Sequence, residues 1–182
     1  MQGDSRVRPR PQRWLPVAVL ASACAWTLLI ASPLAWAGDS VDAVFTMPQS
    51  VSDTPFSSER DAVVWRREEL KEIESLVRQL RFDLVNNQDA EAAAPRLAEL
   101  QERASAEHLL PAFIEGTHGS GSEARPSIWA EWDNFTAGFN DLESHVNALV
   151  EAAHGEDYRG AARALSDVAT TCRSCHRVYR YR

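Results

Sequence analysis

Apolar residues recur at the spacing of an α-helix in four stretches of this chain. The first stretch predicts a helix that begins near Ser57 and Ser58, because Ser58 and Asp61 form a weak version of a capping box, with Asp in place of Glu. Steps of three and four residues place one stripe along this helix, and a single arginine interrupts it: Val63, Arg66, Leu70, Ile73, Val77 and Leu80. The pair Asn86–Asn87 predicts the turn that follows.

The second stretch predicts a helix from about Asp89 to Leu110. Its inner face is formed by Leu97, Leu100 and Ala104. Pro95 is compatible with this helix only within the first turn, which would move the start to about Ala92. Pro111 is expected to end the helix, and a loop rich in Gly, Ser and Thr follows over residues 116–126.

The third and fourth stretches complete the pattern. The third helix is expected to start at Ser127 or Asp133 and to end at Gly155, with a buried seam of Phe135, Phe139, Leu142, Val146 and Leu149. The fourth starts near Glu156-Asp157 and carries one face of Tyr158, Ala162, Leu165, Ala169, Cys172 and His176. Four such helices with short loops and no internal repeat predict an all-α, antiparallel (up-down-up-down) four-helix bundle over residues 57–182.

The N-terminal residues have a different composition. Four arginines precede residue 14, an uncharged run covers Trp14–Ile30, and Ala35-Trp36-Ala37 offers small residues at a cleavage site. This order predicts a secretory signal peptide over residues 1–37 and a periplasmic protein; an uncleaved membrane anchor is the alternative, because the apolar run is long enough to span. Residues 38–56 are polar, with turn formers such as Pro48 and Pro55, and predict a flexible tether.

The net charge of the chain limits the kinds of molecule that it can be expected to bind. After removal of residues 1–37, the chain has 15 basic and 25 acidic side chains, a net charge of −10. Such a protein is not expected to bind nucleic acid or an anionic membrane. The charge serves solubility or steers the protein toward a basic partner. The chain of 182 residues, 45% of them hydrophobic, is long enough for one domain with its own core.

The chemistry of the chain is concentrated at Cys172-Arg173-Ser174-Cys175-His176. Two cysteines three residues apart, followed at once by histidine, are the pattern for covalent attachment of c-type haem. On a helix the three side chains share one face, so both thiols can reach the porphyrin while His176 stands under the iron as an axial ligand. A redox disulfide or half of a zinc site is the alternative. However, no strand pattern supports a thioredoxin-like fold, and Cys24 lies in the predicted signal peptide.

Other residues could in principle approach the iron. Met47 lies in the predicted tether and would be a poor ligand without rigid support. His108 and His145 are candidates for a sixth ligand, although a surface or hydrogen-bonded histidine is the more common situation. No pair of catalytic side chains, phosphate loop or further metal cluster is evident, so the chain is not expected to be an enzyme.

Three separated segments resemble the cytochrome c′ family, the class II cytochromes c. The C-terminal residues Cys172–Arg180 are similar to the family pattern C-x-x-C-H-x-x-Y-R, and the first helix carries the family's aromatic-Arg-x-x-x-Leu/Met element within Asp61–Leu70. Between them lie the similar segments Pro111–Phe113, Gly116–Thr117 and Ala124–Trp129. The resemblance covers roughly residues 57–180 and implies a four-helix bundle with one covalent haem c near its C-terminus.

The resemblance also implies residue roles. Cys172 and Cys175 would carry the thioethers and His176 the proximal bond to iron. Leu70 matches the side chain over the distal face, Arg66 an arginine near a haem propionate, and Arg180 an arginine close to the proximal histidine. Family members with methionine at the position of Leu70 are six-coordinate and low-spin. Those with an apolar residue are five-coordinate, high-spin and open to small gases.

Three functions follow as hypotheses. The first is a five-coordinate haem protein that binds NO or CO, since a leucine has no lone pair for iron and offers no hydrogen bond to bound O₂. The second is a six-coordinate, low-spin periplasmic electron carrier that serves redox partner proteins. The third is a bundle without haem that carries a thiol pair. A homodimer is a further implication of the resemblance.

Overall fold

The computed structural model describes residues 45–119 and 121–182. Four long helices make up most of this part: α1 (Glu59–Arg81), α2 (Ala90–Arg103), α5 (Trp132–His154) and α6 (Tyr158–Tyr179). Two short helices, α3 (Ala106–Leu109) and α4 (Ser127–Ala130), lie between α2 and α5, and 3-10 turns cover Val51–Asp53 and Leu110–Ala112. Within the described residues, β-pairing is limited to one isolated bridge between Ala124 and Arg180. The fold is the predicted all-α four-helix bundle.

The start of α1 is confirmed by its cap. The Ser58 hydroxyl accepts a hydrogen bond from the backbone N–H of Asp61 at 3.0 Å, and the Asp61 carboxylate accepts one from the backbone N–H of Ser57 at 3.2 Å. The buried face is rotated slightly from the predicted stripe and consists of Ala62, Arg66, Glu69, Ile73, Leu76 and Leu80. Val63, Leu70 and Val77 are only half-buried, because they lie at the edge of the face that packs on the bundle.

The connection from α1 to α2 differs in detail from the prediction. A π-helical turn covers Phe82–Asn87, and Gln88 reverses the chain with a φ of 53°. Asp89 caps α2 by accepting a hydrogen bond from the Ala92 N–H at 2.9 Å, so the helix begins at Ala90. The predicted start at about Asp89 is therefore confirmed. Pro95 consequently lies in the second turn, and the alternative start near Ala92 is wrong. The short connection makes α1 and α2 antiparallel neighbours.

The second predicted helix is broken. It ends at Arg103, and Ser105 starts α3 by accepting a hydrogen bond from the His108 N–H at 3.2 Å. A serine side chain competes with helical hydrogen bonding in this way, and this is why the helix does not continue to Leu110. Pro111 lies inside the 3-10 turn that follows α3.

The seam of α5 is confirmed. Its predicted residues are all buried: Phe135, Phe139, Leu142, Val146 and Leu149. Asp157 caps α6 by accepting a hydrogen bond from the Gly160 N–H at 2.8 Å. The first half of α6 buries Ala161, Ala164, Leu165 and Val168, whereas no residue from Cys172 onward is fully buried. The first half of α6 therefore packs into the core, whereas the side chains of its second half are half-buried or exposed.

Part of the predicted tether packs on the bundle. The carbonyl of Phe45 accepts a hydrogen bond from the Trp132 indole at 2.7 Å, and the carbonyl of Pro48 accepts one from the Glu115 N–H at 2.8 Å. Phe45 and Met47 also pack against the core. Residues 45–48 are thus held in place, contrary to the expectation of a flexible tether. The predicted signal peptide and residues 38–44 lie outside the described residues.

Across residues 45–119 and 121–182, the helices are too short or too polar to cross a membrane.

Candidate functional site

A cavity opens between the middle of α1 and the C-terminal half of α6. Its empty volume, including the open mouth, is about 890 Å³. Its apolar lining consists of Leu70, Phe113, Ala124, Ile128, Phe139, Cys175 and Tyr179. Its polar lining consists of Arg66, Arg67, Lys71, Glu74, Ser122, Glu123, His176 and Arg180. Five of the six predicted site residues therefore line one cavity.

The sixth, Cys172, lies one helical turn before Cys175 and packs, half-buried, against the core. Both thiols are free. Burial raises the pKa of Cys172, and it raises the pKa of Cys175 to about 11. Both are protonated at neutral pH, whereas a redox-active pair depends on a thiolate with a lowered pKa. The pair is thus unlike a thioredoxin-type site. Within the described residues no three His, Cys, Asp or Glu side chains are grouped as a metal site.

His176 has the protonation state that an iron ligand needs. Burial, followed by the positive charge of Arg180, lowers the pKa of its imidazole, so the ring is neutral at physiological pH. A neutral imidazole has a ring nitrogen with a free lone pair for a metal. The predicted proximal ligand is thereby placed in the cavity wall in a form that can bind.

Arg180 is held by a carboxylate that the sequence did not single out. Its Nε and Nη2 atoms donate to Oε2 of Glu123 at 2.7 and 2.5 Å. These hydrogen bonds lower the pKa of Glu123. Backbone bonds join the same two segments, because Tyr181 N–H donates to the Glu123 carbonyl at 2.8 Å and Arg125 N–H to the Tyr179 carbonyl at 2.9 Å. The end of α6 is fixed to the loop before α4.

Arg66 is buried, with only 2% of its surface exposed. Nη1 donates to the Ala112 carbonyl at 2.9 Å and to the Thr117 hydroxyl at 2.8 Å. Nη2 donates to the Thr117 carbonyl and the Ser122 hydroxyl, both at 2.5 Å. The guanidinium also stands 4.9 Å over the ring of Phe113. Arg66 therefore ties α1 to the loop of residues 112–122.

The charge of Arg66 has no carboxylate within ion-pair distance among the described residues. Burial lowers its pKa to about 10, which still leaves it protonated at neutral pH. All its partners are neutral hydroxyl or carbonyl oxygens. A buried cation of this kind favours an anionic group in the cavity that it lines.

Leu70 lines the same cavity as His176, which is the juxtaposition that the resemblance implied. Among the described residues that line the cavity there is no methionine and no second histidine. The lining also includes the amine of Lys71, whose Nζ atom lies 2.8 Å from Oε1 of Glu68. The other candidate ligands are engaged elsewhere, since His108 Nε2 contacts Glu69 at 2.9 Å and His145 Nδ1 contacts Thr171 at 3.0 Å.

Sequence reasoning missed several lining residues. Arg67 donates to the Gly121 carbonyl at 2.6 Å and lies 3.8 Å from Glu123, which had no sequence signal. Arg67 itself lies within Asp61–Leu70, one of the segments that resemble the family. Phe113 and Tyr179 lie within the segments that resemble the family, and those segments could have identified them. Thr117 and Ser122 hold Arg66 from a loop whose conformation the sequence does not reveal.

These features fit a covalently attached haem. A haem needs an apolar slot for its macrocycle, two thiols at its edge, an axial nitrogen and positive charge near its propionates. The lining supplies apolar walls, Cys175 with Cys172 beside it, neutral His176 and the buried cation of Arg66. The fold and the cavity define a four-helix, c-type haem protein.

Comparisons with known proteins agree with this class. The sequence profile of the family described as Cytochrome C′ matches residues 61–180. Cytochrome c-554 of Cereibacter sphaeroides is 34% identical over 94 residues, which cover 50% of this chain and 70% of that protein. Cytochrome c′ of Pararhodospirillum photometricum is 29% identical over 123 residues, covering 65% of this chain and 94% of that protein.

Solved structures give the same result. The native cytochrome c′ of Alcaligenes xylosoxidans superposes with a TM-score of 0.63 at 27% identity, over 70% of this chain and 99% of that one. A carbon monoxide-bound variant and a nitric oxide complex of a mutant of the same protein each superpose with a TM-score of 0.62 at 26% identity, over 70% of this chain and 99% and 98% of those chains.

The chain belongs to the cytochrome c′ family. Its cofactor is one covalent haem c, with iron as the metal.

Proposed function

We propose that this protein is an exported, five-coordinate, high-spin cytochrome c′ that binds NO or CO at the open face of its haem iron and also exchanges electrons with redox partner proteins. In this proposal Cys172 and Cys175 carry the thioethers and His176 is the proximal ligand. The haem supplies iron that takes up small gases and changes oxidation state by one electron. No catalysis of a substrate is part of the proposal.

The observation that carries the proposal is the pairing of Leu70 with His176 across one cavity. A leucine side chain has no lone pair to donate, so it can shield the sixth coordination site without filling it. The cationic neighbours of Leu70 are engaged with other groups, Arg67 with the Gly121 carbonyl and Lys71 with Glu68. A face covered by hydrocarbon favours neutral diatomic ligands over polarised O₂.

The two arginines have separate roles in the proposal. The positive charge of Arg66 offsets the negative charge of a haem propionate. It acts through its charge rather than through a hydrogen bond, because its terminal nitrogens already donate to the loop of residues 112–122. Burial, together with the positive charge of Arg180 that Glu123 holds in place, keeps the pKa of His176 low, so its imidazole is available to the iron. Export through the predicted signal peptide over residues 1–37 delivers the chain to the periplasm. N-terminal sequencing of the mature protein tests this by showing whether it begins at Gly38.

The test of the gas-binding site is Leu70→Met. A thioether at this position should bind the iron and create a low-spin fraction, seen as sharp α and β bands. If methionine occupies the iron about nine-tenths of the time, apparent CO affinity falls about tenfold. Leu76→Met is the matched control, since Leu76 is a buried leucine of the same helix that does not line the cavity.

Three outcomes would contradict parts of the proposal. Spectra of Leu70→Met that match those of Leu76→Met would remove Leu70 from the face of the iron. A native protein that is low-spin and unresponsive to CO would be the six-coordinate carrier instead. Absence of covalent haem on a denaturing gel, after expression in a host that matures c-type cytochromes, would leave only a thiol pair.

A further inference from the structure

The C-terminal end of α6 carries a concentration of positive charge. Residues 172–182 contain four arginines and no acidic residue. A recess beside the haem cavity is lined by these arginines together with Glu123, His176 and Tyr181. We call Arg173, Arg177, Arg180, Arg182 and Tyr181 the arginine patch. Glu123, His176 and Arg180 line both this recess and the cavity that Leu70 lines, so the two spaces share these side chains.

The patch is exposed and its charge is largely uncompensated. All four arginine side chains are exposed, and Tyr181 is 48% exposed. Arg180 is paired with Glu123, but Arg173, Arg177 and Arg182 have no carboxylate of the described residues within ion-pair distance. The Arg125 guanidinium stands 5.5 Å from the centroid of the Tyr181 ring. An exposed aromatic ring among arginines is a composition enriched at protein interfaces.

The rest of the molecule has the opposite charge. Residues 45–171 carry 11 basic and 23 acidic side chains. The arginine patch is therefore a local concentration of positive charge next to His176 on a chain that is otherwise acidic. Such a field orients a charged partner during approach and accelerates association at low ionic strength.

We propose that the arginine patch docks the acidic surface of a redox partner protein next to His176. This proposal rests on the proposed haem attachment, because its value for electron transfer depends on iron behind His176. Docking at this point places the partner beside the predicted axial ligand of the iron. Leu70 lines the cavity but not the recess, so a partner seated on the recess leaves Leu70 uncovered.

The charge distribution favours a protein over the other anionic surfaces. An anionic membrane is extended, so it would approach the acidic remainder of the molecule as well as the patch and be repelled by it. A second copy of this chain would bring its own strongly acidic body against the first. A compact acidic protein surface can match the patch alone, with Tyr181 as an apolar anchor within the ring of guanidinium groups.

The test measures the sign of the local field on the haem-loaded protein. The ferrous protein is oxidised in a stopped-flow instrument by ferricyanide, an anion, and by tris(phenanthroline)cobalt(III), a cation, from about 0.01 to about 0.5 M ionic strength. The ferricyanide rate should fall with salt and the cobalt rate should rise. A protein steered by its overall negative charge would show the reverse of both trends.

Arg177→Glu is the informative variant, and Arg159→Glu is its matched control. Both arginines are exposed on α6 and lack an ion pair with the described residues, but Arg159 lies at the other end of the helix. Arg177→Glu should slow the ferricyanide reaction about tenfold at low salt, and the double variant with Arg173→Glu should reverse its salt dependence. Arg159→Glu should change neither. Equal effects of Arg177→Glu and Arg159→Glu would overturn the proposal.

A polymer probe tests docking independently of haem. Short poly-L-glutamate should bind native protein and Arg159→Glu but not Arg177→Glu, and it should inhibit the ferricyanide reaction. Binding to phosphatidylglycerol vesicles that Arg177→Glu abolishes would overturn the proposal in favour of a lipid surface. Dimerisation in sedimentation that the same variant abolishes would assign the patch to a second copy. Loss of covalent haem with poly-L-glutamate binding retained would instead count against the proposed function.

Discussion

Two charged residues three positions apart on α1 are both buried, and the regions around them accommodate the charge differently. Glu69, which is 7% exposed, accepts hydrogen bonds on Oε1 from Arg103 Nη1 at 2.6 Å and His108 Nε2 at 2.9 Å. Arg103 is in turn held by Glu99 at 2.8 Å. Arg66, which is 2% exposed, has only neutral partners and lines the cavity. The negative charge of Glu69 is therefore balanced by basic side chains. The positive charge of Arg66 is balanced by no carboxylate of the described residues, so an anion can bind beside it.

The difference separates a structural polar cluster from a ligand site. A buried ion whose opposite charges are already present needs nothing further, and Glu69 joins α1 to α2 and α3. A buried cation surrounded by dipoles alone remains favourable for a negative group, which a haem propionate supplies. A buried charge alone therefore does not identify a ligand site. The partners of that charge show whether a ligand is needed to balance it.

Replacing Arg66 should have the largest effect on stability. Arg66→Met keeps the apolar stem of the side chain but removes the guanidinium, so the buried Ala112 carbonyl loses this donor and the Thr117 carbonyl keeps only the Ser122 hydroxyl. We expect a loss of about 3 kcal/mol in the free energy of unfolding. Urea denaturation of the haem-loaded protein measures it. Arg67→Met is the control, because Arg67 is partly exposed and its removal should cost no more than about 1 kcal/mol. Equal losses would show that Arg66 does not organise the loop.

Neutralising Glu69 should have an intermediate effect that depends on pH. Burial alone would raise the pKa of Glu69, but the hydrogen bonds from His108 and Arg103 hold it below its ordinary value. Ionised Glu69 therefore stabilises the fold above an unfolded pKa of about 4.3, and this contribution disappears as pH falls through the lower folded pKa. Glu69→Gln should lose about 2 kcal/mol near pH 7.

The pH profile distinguishes this cluster from a surface pair. The stability difference between native protein and Glu69→Gln should shrink in the acid range, as Glu69 of the native protein becomes protonated; urea denaturation measures it. Glu99→Gln, at the exposed end of the same cluster, should lose at most about 0.5 kcal/mol. A difference for Glu69→Gln that grows as the pH is lowered would contradict the assignment.

Removing His108 should have the smallest effect. His108→Gln retains a side-chain amide that can donate to Glu69, and Arg103 remains bonded to the same carboxylate oxygen. We expect a loss of about 0.5 kcal/mol, measured as a shift in Tm, and no change in the CO spectrum, because His108 does not line the cavity. A change in spin state would instead make His108 an iron ligand.

Much of the fold could be predicted from the sequence. The caps at Ser58 and Asp157 and the seam from Phe135 to Leu149 are local patterns of one helix each, so periodicity and turn chemistry reveal them. The break at Ser105 and the packed segment around Phe45 were not predicted. The first depends on competition between a serine cap and a helix, and the second on a distant indole, Trp132.

The sequence by itself determined that this is a helical bundle whose last helix carries Cys172, Cys175 and His176 on adjoining positions, because these spacings are fixed within a single helix. Only the tertiary structure decided that Leu70 shares a cavity with His176, that Arg66 is buried without an opposite charge, and that Glu123 holds Arg180. Each of these depends on side chains brought together from distant segments. Helical periodicity specifies which face of a helix is turned inward, whereas packing between helices specifies what that face meets.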